Sequence, residues 1–269
     1  MIRREAPGKI NLALVVGPLR ADGKHEVATV LQRIDLADVI ELSIGEELSV
    51  SGFADDTLVA EGLVAFAAAA GVEPRWSVHI TKAIPVSAGL GGGSSDAATA
   101  LALANESLDS PLDTNRLVEI AAGLGADVPF FLREGPQLGT DDGSRLTAID
   151  LPQDFLVVLA LPDDERKDST SEVYGAFDAR SGANGFEERR SALMGALSAI
   201  RLVDDLATLP LNDLATSPLA DRLLRAGALR ADVSGAGPCV YGVFSDPDCA
   251  HEAARELRAT GRTWVVKPR

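Results

Sequence analysis

Residues 85–98 read Pro85-Val86-Ser87-Ala88-Gly89-Leu90-Gly91-Gly92-Gly93-Ser94-Ser95-Asp96-Ala97-Ala98, and this segment limits the possible folds more than any other in the chain. Four glycines within five residues are costly to order, because glycine loses more backbone freedom on folding than any other residue. The alternation of Trp76, Val78 and Ile80 predicts a strand before them, and an alanine-rich helix runs from about Ser94 to Asn105 after them. A strand that passes through glycines into a helix aims successive N–H groups one way, and the helix terminus adds roughly half a positive charge. Such a turn holds phosphate through its backbone. Ser94 and Ser95 add hydroxyls for a phosphoryl oxygen or a magnesium-bound water. No lysine follows as in G-x-x-x-x-G-K-[ST], and Ser94 takes the last glycine position of G-x-G-x-x-G, so neither of those motifs is present. The alternative is a turn that serves only the close packing of a helix.

Composition narrows the ligand. The chain has 269 residues, 46% hydrophobic and 24% charged, which suits a globular protein of one large or two small domains. Its 40 acidic against 25 basic side chains give a net charge of −15, which argues against a nucleic-acid partner. An anionic small-molecule substrate would then need its few cations placed locally. Cys239 and Cys249 cannot build a disulfide framework, and His25, His79 and His251 have no metal-site spacing. The first residues lack a signal-peptide apolar run and no stretch is long enough to span a bilayer, so the expectation is a cytoplasmic protein with no membrane partner.

Residues 9–16 and 27–43 predict strands, and Asp55–Ala70 a helix capped by Asp56 and stopped by Gly71. Asp113 or Thr114 opens another helix. Leu151–Leu161 reads as a buried strand, Asp163–Asp168 as a solvated loop, and 169–230 as mostly helical. A strand–turn–strand unit at 231–244, a helix near 247–260 and a strand at 263–267 close the chain. The sum is an α+β fold in two lobes, 1–150 and 151–269. Asn11, inside an apolar strand, needs a partner if buried. His25 stands in a polar loop, where exposure is commoner than ligation. On residues alone, Lys9 reads equally well as a surface lysine at a strand start, and Asp127 reads better as a turn aspartate.

The segment Pro-x-x-x-Gly-Leu-Gly-Gly-Gly-Ser-Ser resembles the central motif of the GHMP kinases. Ala6-Pro7-Gly8-Lys9-Ile10-Asn11-Leu12 is similar to their N-terminal motif, and Val233-Ser234-Gly235-Ala236-Gly237-Pro238-Cys239-Val240 to their C-terminal glycine motif. Ala21-Asp22-Gly23-Lys24-His25-Glu26, Gly125-Ala126-Asp127-Val128-Pro129-Phe130-Phe131 and Asn212-Asp213-Leu214 resemble segments of members that phosphorylate a cytidine-diphosphate-linked methylerythritol. The resemblance implies a ribosomal-protein-S5-like N-terminal lobe and a ferredoxin-like C-terminal lobe, with ATP and Mg2+ as cofactors. It implies Asp127 as catalytic base with Lys9 as its cationic partner. Pro85, Ala88, Gly89, Leu90, Gly91, Gly92, Gly93, Ser94 and Ser95 would bind ATP. Asn11, Lys24, His25, Gly235, Ala236 and Gly237 would bind substrate; the metal ligands stay open.

Two features depart from the pattern. Such members usually carry tyrosine before the histidine, stacking on cytosine, where this chain has Lys24. Lys24 would instead meet the substrate diphosphate or place a cation over the base; otherwise the acceptor is another alcohol, homoserine-like or mevalonate-like. The turn at 139–145 is more acidic than usual, with Asp141 and Asp142 expected to be solvated. Phe177 and Phe186 are the nearest aromatics to offer a second stacking face, with core packing the better reading for Phe177. A non-catalytic metabolite-binding member is the third reading, and the presence of Lys9, Asp127 and the glycine segment argues against it.

Overall fold

Two long strands, β1 (Ile2–Leu19) and β2 (His25–Ile44), pair with one another and exceed the expected 9–16 and 27–43 at both ends. Hydrophobic alternation marks where a strand is buried, whereas its ends are set by pairing that continues into exposed residues. The computed structural model describes residues 1–53, 57–163 and 169–269. They form two units, Met1–Gly8, Leu36–Val86 and Gly91–Glu134 in one, Lys9–Asp35, Ser87–Leu90 and Gly135–Arg269 in the other.

In the first unit, β3 (Ser49–Ser51) precedes helix α1 (Leu58–Ala70), strand β4 (Trp76–Thr81) and helices α2 (Gly92–Glu106) and α3 (Thr114–Leu124). β4 runs antiparallel to the end of β2, from Val39 opposite Thr81 to Ile44 opposite Trp76, and β3 lies parallel to β4. Trp76, Val78 and Ile80 turn to one face, as their alternation predicts, and join Ile40, Leu42, Leu63, Phe66 and Leu101 in one core. Thr57 holds the N-cap position of α1; the expected cap, Asp56, lies outside the described residues. Gly71 ends α1 at φ 69°, as expected. Asp113 caps α3 by accepting from the Arg116 N–H.

Helix α2 starts at Gly92, two residues before the expected Ser94. Gly91 takes the left-handed conformation (φ 69°) as N-cap, so Gly92 and Gly93 already form the first turn. Beneath that turn lies an ion cluster that sequence reading missed. Lys82 donates to Asp38 at 2.5 Å and to Asp96 at 2.7 Å, and both carboxylates are fully buried. Asp38 also accepts from the Ala83 and Ile84 N–H groups. A Cβ on Gly92 would sit 3.3 Å from the Lys82 Nζ and 3.4 Å from Asp38 Oδ2, so glycine leaves the cluster its room.

In the second unit, β5 (Gln137–Thr140) and β6 (Arg145–Ala148) form a hairpin that pairs with β2 at Thr29–Leu31, where only a turn was expected. Strand β7 (Leu156–Pro162) starts later than the predicted residue 151. Helices α4 (Thr170–Ala179), α5 (Phe186–Ala199) and α6 (Pro218–Arg225) follow, then β8 (Arg230–Val233), β9 (Val240–Phe244), helix α7 (Pro247–Leu257) and β10 (Gly261–Val266). The solvated loop expected at 163–168 falls, from residue 164 on, outside the described residues. The four strands make an antiparallel sheet in the order β10-β7-β9-β8. Val158, Ala160 and Phe244 pack with Leu223, Ala254 and Leu257 of α6 and α7, while Val157 and Leu159, on the other face of β7, are buried too. Burial on both faces accounts for the unbroken apolar run. No helix among the described residues is long and apolar enough to cross a membrane.

The Lys82 cluster carries a prediction. Burial works against the ammonium, but Asp96 and Asp38 outweigh it and raise its pKa above the ordinary lysine value. Its stabilising effect therefore holds below about pH 10.4 and fades as pH rises through the raised value. Lys82→Met should cost about 3 kcal/mol in urea denaturation at neutral pH, since it removes the cation shared by two buried carboxylates.

Candidate active site

Lys9, expected as readily at the surface, is buried to 3% exposure. Its Nζ donates to Asn11 Oδ1 at 2.6 Å, Asn11 Nδ2 donates to Thr29 Oγ1 at 2.8 Å, and that hydroxyl donates to the Ala13 carbonyl at 2.8 Å. Each group in this relay hands its hydrogen to the next, which fixes the amide of Asn11 with its oxygen toward the ammonium. The partner that an asparagine in an apolar strand requires is thus supplied on both sides.

Two glycine segments close around this relay. The Lys9 N–H donates to the Leu90 carbonyl, the Cys239 N–H to Ala88, and the Ser234 hydroxyl to Gly89 at 2.9 Å. A Cβ on Gly89 (φ 81°) would lie 2.1 Å from the Ser234 carbonyl oxygen, so only glycine permits this approach. The position of a Cβ on Gly235 (φ 59°) is 3.4 Å from both Lys9 Nζ and Asn11 Oδ1. The segments around Gly89 and Gly235, far apart in sequence, therefore meet at Lys9. Ala236 and Gly237 complete the turn, and Cys239 behind it is buried, its thiol pushed up to about 12 by that burial. The inert core thiol expected there is what the structure holds.

Along the rest of the glycine-rich segment, Pro85, Ala88 and Leu90 are buried, Gly91, Gly92 and Ser94 are half-buried, and Gly93 is exposed. Ser95, in the first turns of α2, is fully buried, and its hydroxyl has no hydrogen-bond partner among the described residues. A buried orphan hydroxyl at the head of a helix is the feature that a phosphoryl oxygen or metal-bound water would satisfy. Asp127 lies half-buried in the turn between α3 and the 3-10 turn Pro129–Leu132, in the other unit from Lys9. No group of three or more His, Cys, Asp or Glu among the described residues is arranged to hold a metal ion.

His25 is buried at the start of β2 rather than exposed in a loop. Its Nδ1 lies 2.8 Å from the Gly17 carbonyl, and because a carbonyl only accepts, Nδ1 carries a proton. Nε2 faces Asp178 Oδ2 at 3.4 Å. Tyr174, which sequence reading passed over, lays its ring 5.0 Å from the imidazole at 30°; Phe177 meets it edge-on at 5.8 Å. Phe177 and Phe186 are both buried core. A helical i, i+3 spacing of Tyr174 and Phe177 was the signal available for finding this wall.

The two departures noted in the sequence meet each other. Lys24 Nζ donates to Asp142 Oδ2 at 2.5 Å, and Asp142 Oδ1 accepts from the Ser144 N–H and hydroxyl. Asp142 is therefore not a solvated turn residue: its side chain is 12% exposed, against 52% for Lys24. Burial alone would raise the Asp142 pKa, but the Lys24 and Ser144 bonds bring it down to about 2. The pair thus stabilises the fold above the ordinary carboxylate value and loses that effect as pH falls toward 2. A double-mutant cycle with Lys24→Met and Asp142→Asn should show coupling of about 0.5–1 kcal/mol in thermal unfolding at pH 7, shrinking in high salt. Additive effects would refute the pairing.

Residues 57–135 match the GHMP kinases N terminal domain, and residues 212–263 the GHMP kinases C terminal domain. A 4-diphosphocytidyl-2-C-methyl-D-erythritol kinase of Geobacter sulfurreducens is 38% identical over 97% of this chain and 96% of its own length. One from Geobacter sp. strain M21 is 36% identical over 97% and 95%. Among solved structures, a 4-(cytidine 5'-diphospho)-2C-methyl-D-erythritol kinase superposes with a TM-score of 0.80 at 29% identity, covering 99% of both chains. A mevalonate kinase superposes at 0.79 with 16% identity, which speaks to the fold alone. The expected α+β GHMP kinase fold is present, and by relatives of this identity over nearly its whole length the chain belongs to the 4-diphosphocytidyl-2-C-methyl-D-erythritol kinase family of the GHMP kinases.

Proposed function

We propose that this chain transfers the γ-phosphoryl group of ATP to the 2-hydroxyl of 4-diphosphocytidyl-2-C-methyl-D-erythritol. The observation that carries the reading is the buried cluster in which Lys9 meets Asn11 and the segments around Gly89 and Gly235. It sits on the segments that resemble GHMP kinase motifs, in a chain 33% to 38% identical to kinases of that name.

In this reaction the acceptor oxygen bonds to the γ-phosphorus, the bond from that phosphorus to the ADP oxygen breaks, and the hydroxyl proton leaves. Asp127 is the proposed acceptor of that proton. Lys9 supplies positive charge toward the transferred group, and the backbone amides of Ala88–Ser95 and their neighbours hold the nucleotide phosphates. Mg2+ on the nucleotide would neutralise phosphate charge, and the buried Ser95 hydroxyl, together with Ser94, fits an oxygen of that assembly. Asn11, His25 and the Gly235–Gly237 turn are the proposed acceptor contacts. Tyr174, beside His25, offers the cytosine a ring face where Lys24 does not; such a stack is worth about 1–3 kcal/mol.

Purified protein with ATP, Mg2+ and 4-diphosphocytidyl-2-C-methyl-D-erythritol should release ADP and a 2-phosphorylated product. Asp127→Asn should lower kcat by about 10²–10⁴-fold while ATP still binds. Turnover of homoserine or mevalonate in its place would overturn the acceptor, and near-wild-type activity in Asp127→Asn would overturn the base.

A further inference from the structure

The tripeptide Asn212-Asp213-Leu214 takes no part in the reaction as proposed, yet it is bonded to the Lys9 cluster from two directions. Asn212 is 6% exposed. Its Nδ2 donates to the carbonyls of Val233 at 2.9 Å and Gly235 at 2.7 Å, and its Oδ1 accepts from the Leu214 N–H at 2.8 Å. Its own N–H donates to Asp232 Oδ2 at 2.8 Å. The next residue grips β1: the Asp213 N–H donates to the Leu14 carbonyl at 2.9 Å, and Asp213 Oδ2 accepts from the Val16 N–H at 2.8 Å. Arg189 completes this side by donating to Asp213 Oδ2 and to the Val16 carbonyl.

A trans peptide is planar, with its C=O and the following N–H pointing in opposite directions. Holding the Gly235 oxygen against Asn212 therefore aims the Ala236 N–H the other way. Of the other turn amides, Ser234 N–H donates to the Cys239 carbonyl and Gly237 N–H to the Ser234 carbonyl, while the Gly235 N–H makes no hydrogen bond within the described residues. The Ala236 N–H makes no hydrogen bond within the described residues. It follows directly on Gly235, whose Cβ position is 3.4 Å from the Lys9 ammonium. A preset N–H beside a buried cation is a donor pair for an anionic oxygen.

We propose that Asn212 is a positioning residue that orients the Gly235–Ala236 peptide, so that the Ala236 N–H stands ready to bind a phosphate-type oxygen beside Lys9. Asp213 ties strand β1, which carries Lys9 and Asn11, to the same frame. The inference rests on the reading that this cluster is where phosphoryl transfer occurs. The oxygen belongs either to the transferred group or to the acceptor's diphosphate.

Two variants test it. Asn212→Asp keeps the size and the acceptor for Leu214 but turns an oxygen toward two carbonyls; Asn212→Ser keeps one donor. With active sites counted by nucleotide binding, Asn212→Asp should lower kcat/KM by about 10²-fold, and Asn212→Ser by an intermediate factor. A loss in kcat assigns the oxygen to the transferred group, and a loss in acceptor KM to the diphosphate. A fall in melting temperature with kcat/KM within about twofold of wild type would overturn the proposal, as would failure of both variants to accumulate folded. If the wild-type protein shows no turnover, the acceptor reading fails separately. Hydrogen exchange then decides: faster exchange of the Ser234 and Gly237 amides in Asn212→Asp supports the positioning role, and unchanged exchange removes it.

Discussion

Burying a lysine ammonium is the demand around which the second unit is arranged. An ammonium taken out of water needs oxygen partners in place of its hydration. Asn11 meets Lys9, but an asparagine in a strand can turn its oxygen toward a cation only if its NH2 is accepted elsewhere, and Thr29 on β2 does so. Thr29 in turn must give its proton away, and the Ala13 carbonyl takes it. A single charge thus fixes the rotamers of two neighbours and ties β1 to β2. Gly89 then brings its backbone to the Ser234 carbonyl at a distance that a Cβ would prevent, and Gly235 takes a left-handed backbone (φ 59°) beside the cation.

A net charge of −15 leaves few cations to place, and the buried ones are held by oxygens. Lys82 lies between two carboxylates under the head of α2. Arg230 donates to the Tyr241 hydroxyl, to Asp232 and to the carbonyls of Leu209 and Pro210, while Tyr241 passes a bond on to the Leu12 carbonyl. Burial raises the Asp232 pKa, and the same carboxylate receives the Asn212 N–H. A net negative chain is compatible with the proposed anion site, because backbone amides and a helix terminus supply positive potential without adding net charge.

Much of this was legible in the sequence. The glycine segment announced a turn leading into a helix, Asn11 announced a buried partner, and Cys239 a core thiol. What stayed hidden depends on contacts between distant segments. The start of α2 moved because Gly91 adopts a left-handed cap, and propensity alone argues against glycines inside a helix. The hairpin of β5 and β6 has strands of four residues each, too short for alternation to register. Lys24 and Asp142 looked like two unrelated departures because nothing in a linear reading places residue 24 beside residue 142. Tyr174 stayed hidden because nothing in a linear reading places residue 174 beside residue 25, and the two aromatics considered, Phe177 and Phe186, are buried core.

The meeting of Gly89 with Ser234 is made by main chain on both sides, and this sets how the protein can change. A pair such as Lys24 and Asp142 consists of two side chains, so substitution at one can be answered at the other, and the two can be exchanged together. A contact in which a methyl-sized atom would fall 2.1 Å from a carbonyl oxygen has no such reply, since no other side chain can make room for it. Variation in this enzyme is therefore channelled toward side-chain pairs such as Lys24 and Asp142, while the seam between the two glycine segments stays closed to it.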